Sequence, residues 1–205
     1  MPRIHDVIQS GMALSKEFKL IPFPDLIKAT TNYEIFELKP TGEDKELFSQ
    51  IRDSASHFLQ FTSRTRQRFQ GNRPNDVGKQ IEEVFMEELK KTTLIPELLS
   101  KSGYPDMKIV DENGKTTYLE SKAVSKGWNS SFRSFYFSNG KKISSNGRHL
   151  LIAWKIVEEK DKYWKITGWK ICDLFRLQIK TKLEFNASNK AIYKQGIVIQ
   201  EFNEK

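Results

Sequence analysis

Two acids and a lysine are the residues best placed for chemistry in this 205-residue chain: Asp106, directly after Pro105, and the pair Glu120 and Lys122 around Ser121. Between them, the β-rich runs YPDMKIV and KTTYLESKAV flank the breaker cluster Asp111-Glu112-Asn113-Gly114, a strong hairpin signal. Residues two apart on a strand project from one face, so Glu120 and Lys122 point together and Ser121 points away. The hairpin returns the chain, bringing Asp106 beside Glu120. Two adjacent carboxylates repel each other, and a divalent cation relieves the repulsion. Magnesium takes oxygen ligands and keeps several waters, one of which it makes more acidic while neutralising charge on a phosphodiester. A lysine two residues on can orient or deprotonate the attacking water, or stabilise the transition state. The backbone carbonyl of Ser121 offers a further ligand. The competing reading is an exposed hairpin with an ordinary Glu–Lys pair. The apolar neighbours Tyr118, Leu119, Ala123 and Val124 favour the chemical one.

The rest of the composition narrows the alternatives. A single cysteine, Cys172, allows neither an internal disulfide nor a cysteine zinc site, and its setting WKICDLF reads as that of a buried structural thiol. Three histidines, His5, His57 and His149, make a multi-histidine centre improbable and leave oxygen donors for any metal. Hydrophobic residues are 38% and aromatics 12%, enough for a folded core. No run approaches the roughly 18 to 20 apolar residues of a membrane span, and the first residues lack a secretory signal's apolar stretch, so an intracellular, cytoplasmic location is expected. A net charge of +8 favours a polyanionic partner. No G-x-x-x-x-G-K-[ST] phosphate loop is present, which argues against an ATP-driven enzyme.

Several elements must position these residues. The first 70 residues read as mainly helical, with loops at Pro22, Pro24, Pro40 and Gly42, and with an imperfect helical stripe of Leu47, Ile51, Phe58, Leu59 and Phe61. After the breakers of residues 71–78, a helix is expected from about Val77 to Lys91, with Asp76 as N-cap or first-turn acid. Val77, Ile81, Val84, Phe85 and Leu89 form its packed face. Glu82 lies at the edge of that face, Glu83 points away, and Glu88 falls near its centre, where an acid is out of place. HLLIAWKIV reads as a central strand, EEKDK as a turn, YWKITGWKIC as the next strand and GIVIQEF as a last one. DLFRLQIKTKLEF reads as opening with a short helix. The four tryptophans, Trp128, Trp154, Trp164 and Trp169, read as packing residues, and His149 as structural. Helices followed by a mostly antiparallel or mixed sheet indicate an α/β (α+β) domain.

Pro105-Asp106 with Glu120-Ser121-Lys122 resembles the PD-(D/E)xK nuclease superfamily, and NDVGKQIEEVF before the hairpin is similar to type II restriction endonucleases in particular. The likeness covers roughly residues 72 to 190. It implies a restriction-endonuclease-like core: a mixed sheet flanked by helices, one nuclease domain over 1–205, with a helical part in 1–70 and the catalytic core and DNA-contacting segments in 71–205. It further implies that Asp106 and Glu120 ligate magnesium, with Ser121 adding its carbonyl, that Lys122 acts at the attacking water, and that a helix glutamate, here Glu82, bears on the metal or its waters. Manganese is expected to substitute, and calcium to support binding without cleavage. Double-stranded DNA is the implied partner, a homodimer the implied assembly for a palindromic site, and a cognate methyltransferase the implied genetic partner. Three segments offer DNA contacts: Arg64, Arg66, Arg68, Asn72 and Arg73; Lys126, Arg133, Lys141, Lys142 and Arg148; and Asn186, Asn189 and Lys190. Two alternatives stand beside this reading: a structure-specific repair, recombination or phage nuclease of the same superfamily, and a DNA-binding module without catalysis.

Overall fold

The computed structural model describes Gln9 and residues 20–99, 103–126, 128 and 141–179. The chain divides into two units, Met1–Ile21 with Ile179–Lys205, and Pro22–Gln178. Of the first, only Gln9, Leu20, Ile21 and Ile179 are described. The second contains helices α1 (Phe23–Thr31), α2 (Lys45–Arg64) and α3 (Pro74–Leu89). Its strands are β1 (Ile35–Phe36), β2 (Phe69–Gln70), β3 (Ile95–Leu98), β4 (Met107–Val110), β5 (Thr116–Val124), β6 (Gly147–Glu158) and β7 (Tyr163–Asp173). They form one mixed sheet in the order β2-β7-β6-β5-β4-β3. β5 and β6 are parallel and the other neighbours on this path antiparallel. β1 adds in parallel to Gly147–Arg148, ahead of the point where β7 begins to pair at Leu150.

The expected hairpin is β4 and β5. Asp111 Oδ1 accepts from the backbone N–H of Asn113 and of Lys115, both at 2.9 Å, and Gly114 supplies a positive φ of 71°, which closes the turn. Met107 then pairs with Leu119 and Val110 with Thr116. The parallel neighbour starts at a glycine for a steric reason: a Cβ on Gly147 would stand 2.7 Å from the Thr116 carbonyl oxygen. β6 is buried from Gly147 through Trp154, as expected of a strand enclosed by neighbours.

Helices α2 and α3 contribute to the apolar core on one sheet face, with Leu119, Leu150, Ile152, Trp154 and Ile156. Trp154 is its centre, edge-on to Phe58 at 5.3 Å and to Phe85 at 4.9 Å between ring centroids. The stripe of α2 runs Leu47, Ile51, Ser54, Ala55, Phe58, Thr62. Its small and polar members blurred the expected pattern, and Phe61 lies outside it, exposed. α3 starts at Pro74 rather than Val77, because proline suits the first helical turn; Asp76 accepts from the Arg73 N–H at 3.1 Å. Glu88 is accommodated at the buried centre by Lys91 Nζ at 2.5 Å and His57 Nδ1 at 2.7 Å.

The opposite face carries a smaller polar interior. Tyr104 Oη lies 2.6 Å from His149 Nδ1, with Phe23 of α1 packed edge-on to Tyr104 at 5.3 Å. Burial lowers the His149 pKa to about 3, so the ring stays neutral at ordinary pH.

Elements with weak periodicity differ from expectation. α1 was hidden by Pro22 and Pro24, which here sit at the helix start. β1, β2 and β3 are too short to show alternation, and β3 contains Pro96. DLF does not open a helix: Asp173 Oδ1 accepts from Phe175 N–H and the chain turns. Cys172 is exposed rather than buried, since it projects opposite Leu151, away from the α2–α3 face. Trp154 and Trp164 are buried packing residues, whereas half-buried Trp128 lies 4.6 Å beneath the Lys170 ammonium. GIVIQEF falls outside the described residues.

Asp44 and Arg148 form an ion pair in the interior, and the second Asp44 oxygen accepts from Lys39 N–H at 2.9 Å. Removing the acid strands a buried guanidinium. Asp44→Ala is therefore expected to lower the unfolding free energy by about 3–5 kcal/mol in urea titration. A loss under about 1 kcal/mol would contradict the buried pairing.

Candidate active site

β5 continues past the end of β4, whose ladder stops at the Met107–Leu119 pair. From Glu120 onward β5 therefore has an edge without a β4 partner, and Asp106 closes its first step. Asp106 Oδ2 accepts from the Ser121 backbone N–H at 2.9 Å. Because the N–H and C=O of one strand residue point to the same edge, the Ser121 carbonyl opens toward Asp106 as well. The Asp106 backbone is itself held where Leu99 N–H donates to its carbonyl at 2.9 Å.

Glu120 and Lys122 share one face of β5, as strand geometry requires, and their side chains form an ion pair. Glu120 is 2% exposed, and its Oε2 is shut from solvent with no donor group against it and the Asp106 carboxylate nearby. Burial first, and then the Asp106 carboxylate, push the Glu120 pKa up to about 7. Lys122 is less enclosed; burial works against its charge, but Glu120 and the other acids more than offset that and raise its pKa. Its ammonium is thus firmly protonated.

Helix α3 supplies the third acid. The helix packs on β5 at Gly78, where an added Cβ would make an ordinary contact, 3.7 Å from Ala123 Cβ. One turn on, half-buried Glu82 feels Asp106, Glu120 and Lys122, while Glu83 is exposed. Burial and the neighbouring Asp106 raise the Glu82 pKa to about 8. The structure thus brings together Asp106, Glu120, Ser121, Lys122 and Glu82.

Comparison with known proteins shows the family. The model of the type II restriction enzyme MjaV family matches residues 16–196. The chain belongs to that family. It is also 30% identical over 204 residues to type II restriction enzyme MjaV of Methanocaldococcus jannaschii, with 88% of each chain covered. No solved structure matches. Restriction endonucleases are site-specific deoxyribonucleases, so this chain is an enzyme of DNA, and the mixed sheet with flanking helices is the architecture the catalytic motif implied.

The donor set of this restriction enzyme suits a hard cation. Among the described residues no three His, Cys, Asp or Glu side chains gather as a metal cluster. An ion would be held by two carboxylates, a carbonyl and water, which is how magnesium is commonly bound. The Glu120 Oε2 beside Asp106, which no donor group meets, is the atom such an ion would satisfy.

The predicted DNA contacts fare unevenly. Arg64, Arg66, Asn72, Arg73, Lys126 and Lys141 are exposed. Arg68 is half-buried in an ion pair with Glu159. Arg148 is corrected to a structural residue, 4% exposed against Asp44, and Lys142 is likewise internal at 8% exposure. A charge count along the chain does not distinguish a lysine in solvent from one folded onto carbonyls. Arg133, Asn186, Asn189 and Lys190 lie outside the described residues. Among the described residues no helix is long and apolar enough to cross a membrane.

The raised acids predict how stability varies with pH without divalent metal. The unfolded chain releases the protons of Glu82 and Glu120 near pH 4.5, whereas the fold retains them to about 8 and about 7. Stability contributed by these groups is therefore present below 4.5 and is lost as pH rises toward 8. In EDTA, the melting temperature is expected to fall across this window, and Glu82→Gln to flatten the decline. An equally steep decline in the variant would exclude Glu82 as a source.

Proposed function

We propose that this enzyme hydrolyses one phosphodiester in each strand of a short specific site in double-stranded DNA, using magnesium held by Asp106, Glu120 and the Ser121 carbonyl. The observation that carries the proposal is the buried Glu120 Oε2, which no donor group meets, next to the Asp106 carboxylate. When bound, the ion acidifies water and offsets charge on the scissile phosphate. Lys122 keeps its proton, so its ammonium orients the attacking water and donates to a phosphate oxygen as charge develops there. Glu82, whose pKa is raised to about 8, accepts the proton released by that water where its carboxylate is ionised, so cleavage is favoured toward alkaline pH. Asp106 keeps its position through the Ser121 N–H. Exposed Arg64, Arg66, Arg73, Lys126 and Lys141 contact the phosphate backbone, with Asn72 among them able to reach a base edge.

Manganese substitutes for magnesium, and calcium supports binding without cleavage. Two copies act as a homodimer, whose two-fold axis matches that of a palindromic site. The enzyme works in the cytoplasm of a prokaryotic cell, where a cognate methyltransferase protects the host DNA.

Unmethylated plasmid incubated with magnesium is expected to give discrete fragments, and none in EDTA. Asp106→Ala is expected to abolish cleavage while retaining calcium-supported DNA binding in a gel-shift assay. A smear in place of fragments would indicate a structure-specific nuclease, and normal cutting by the variant would sink the assignment. Affinity for site-bearing DNA is expected to fall about a thousandfold or more between roughly 50 and 200 mM salt, if 6 to 10 phosphates are contacted. A flat salt dependence would remove phosphate contacts as the main source of affinity.

A further inference from the structure

Lys142 stands beside the acids yet has no part in the chemistry above. It is 8% exposed, and its Nζ donates to the Gly103 carbonyl at 2.5 Å and to the Pro105 carbonyl at 2.7 Å. Pro105 immediately precedes Asp106. Burial lowers the pKa of this amine, and Asp106, Glu120 and Glu82 only partly offset that by favouring the charged form. An ammonium has three donors, and the two carbonyls use two of them.

The residues that follow hold the other ligand strand. The backbone N–H groups of Ser144 and Ser145 donate to Tyr118 Oη at 2.8 and 3.1 Å. Tyr118 lies two residues before Glu120, on the same face of β5. Asn146 then accepts from the Glu34 N–H at 2.8 Å, which anchors the far end. The short stretch 142–146 thus grips the segment before Asp106 through carbonyls and the strand of Glu120 through a phenol. Such a grip has a purpose. Asp106 lies just ahead of β4, so the β4–β5 ladder does not include it, and repulsion from Glu120 pushes it outward.

We propose that Lys142 is a positioning residue for the metal centre, fixing the Gly103–Pro105 backbone so that the Asp106 carboxylate stays opposed to Glu120. This rests on the reading of Asp106 and Glu120 as metal ligands. Positioning and simple charge balance make opposite predictions. Removing a nearby positive charge alone would tighten cation binding, whereas loosening a ligand loop weakens it.

The test uses the full chain with Lys142→Met, which keeps the stem but loses donors and charge, and Lys142→Arg, which keeps both. Circular dichroism and melting in EDTA establish folding. Calcium is then titrated into a DNA gel shift, and magnesium into a cleavage assay. For Lys142→Met the half-saturating concentration of each ion is expected to rise about tenfold or more, with KM for DNA at saturating magnesium unchanged, and Lys142→Arg is expected to recover part of the shift. Should the methionine variant fail to fold, Lys142→Gln must show the same shift. Unshifted or leftward-shifted metal curves in a folded variant would overturn the inference. A wild-type protein with no metal-dependent cleavage would instead overturn the proposed function.

Discussion

The structure around the site turns on one electrostatic conflict, the confinement of Asp106 and Glu120 side by side with little water. Two unit charges about 4 Å apart repel by roughly 4 kcal/mol at an effective dielectric of about 20. Glu120 answers with a proton affinity raised toward neutrality, and Glu82 is drawn into the same response from the helix. The surrounding parts oppose the separation these charges favour: the Ser121 N–H on Asp106, the Lys122 ammonium on Glu120, and the carbonyl clamp of Lys142. Such a site is costly to the fold and receptive to a cation for the same reason.

The two faces of the sheet divide these duties. On one, helices α2 and α3 bury an apolar core around Trp154, which supplies cohesion, with the buried Glu88 met by His57 and Lys91. On the other, Tyr104, His149 and Tyr118 form a hydrogen-bonded interior that leads to Glu120 along β5. α3 serves both, with Ile81 and Phe85 in the core and Glu82 turned to the acids.

What could be read from the sequence followed from local rules. The hairpin was legible because Asp111 and Gly114 specify a turn and strand alternation fixes which side chains share a face. The long strands β6 and β7 were legible from apolar runs, and Glu82 was separated from Glu83 by helical phase alone. What escaped depended on partners distant in sequence. Arg148 and Lys142 looked like any basic residues until Asp44 and the carbonyls of Gly103 and Pro105 were placed beside them. Glu88 was unaccountable without His57, which lies 31 positions away on another helix. Two-residue strands carry no period, and α1 begins at prolines that also mark loops.

The proline of β3 bears on how copies of this chain can meet. Leu99 donates to Asp106, so the alternation of antiparallel pairing makes Glu97–Lys108 and Ile95–Val110 the bonded pairs. The nitrogens of Pro96 and Leu98 then face away from the sheet, and at Pro96 no hydrogen is carried there. Among the described residues this rim of the sheet is missing a donor in the middle of its short run, so an incoming strand would find an interrupted template. Sheet continuation across two copies is disfavoured at this rim, and association through it would have to use side chains such as exposed Ile95 rather than main-chain ladders.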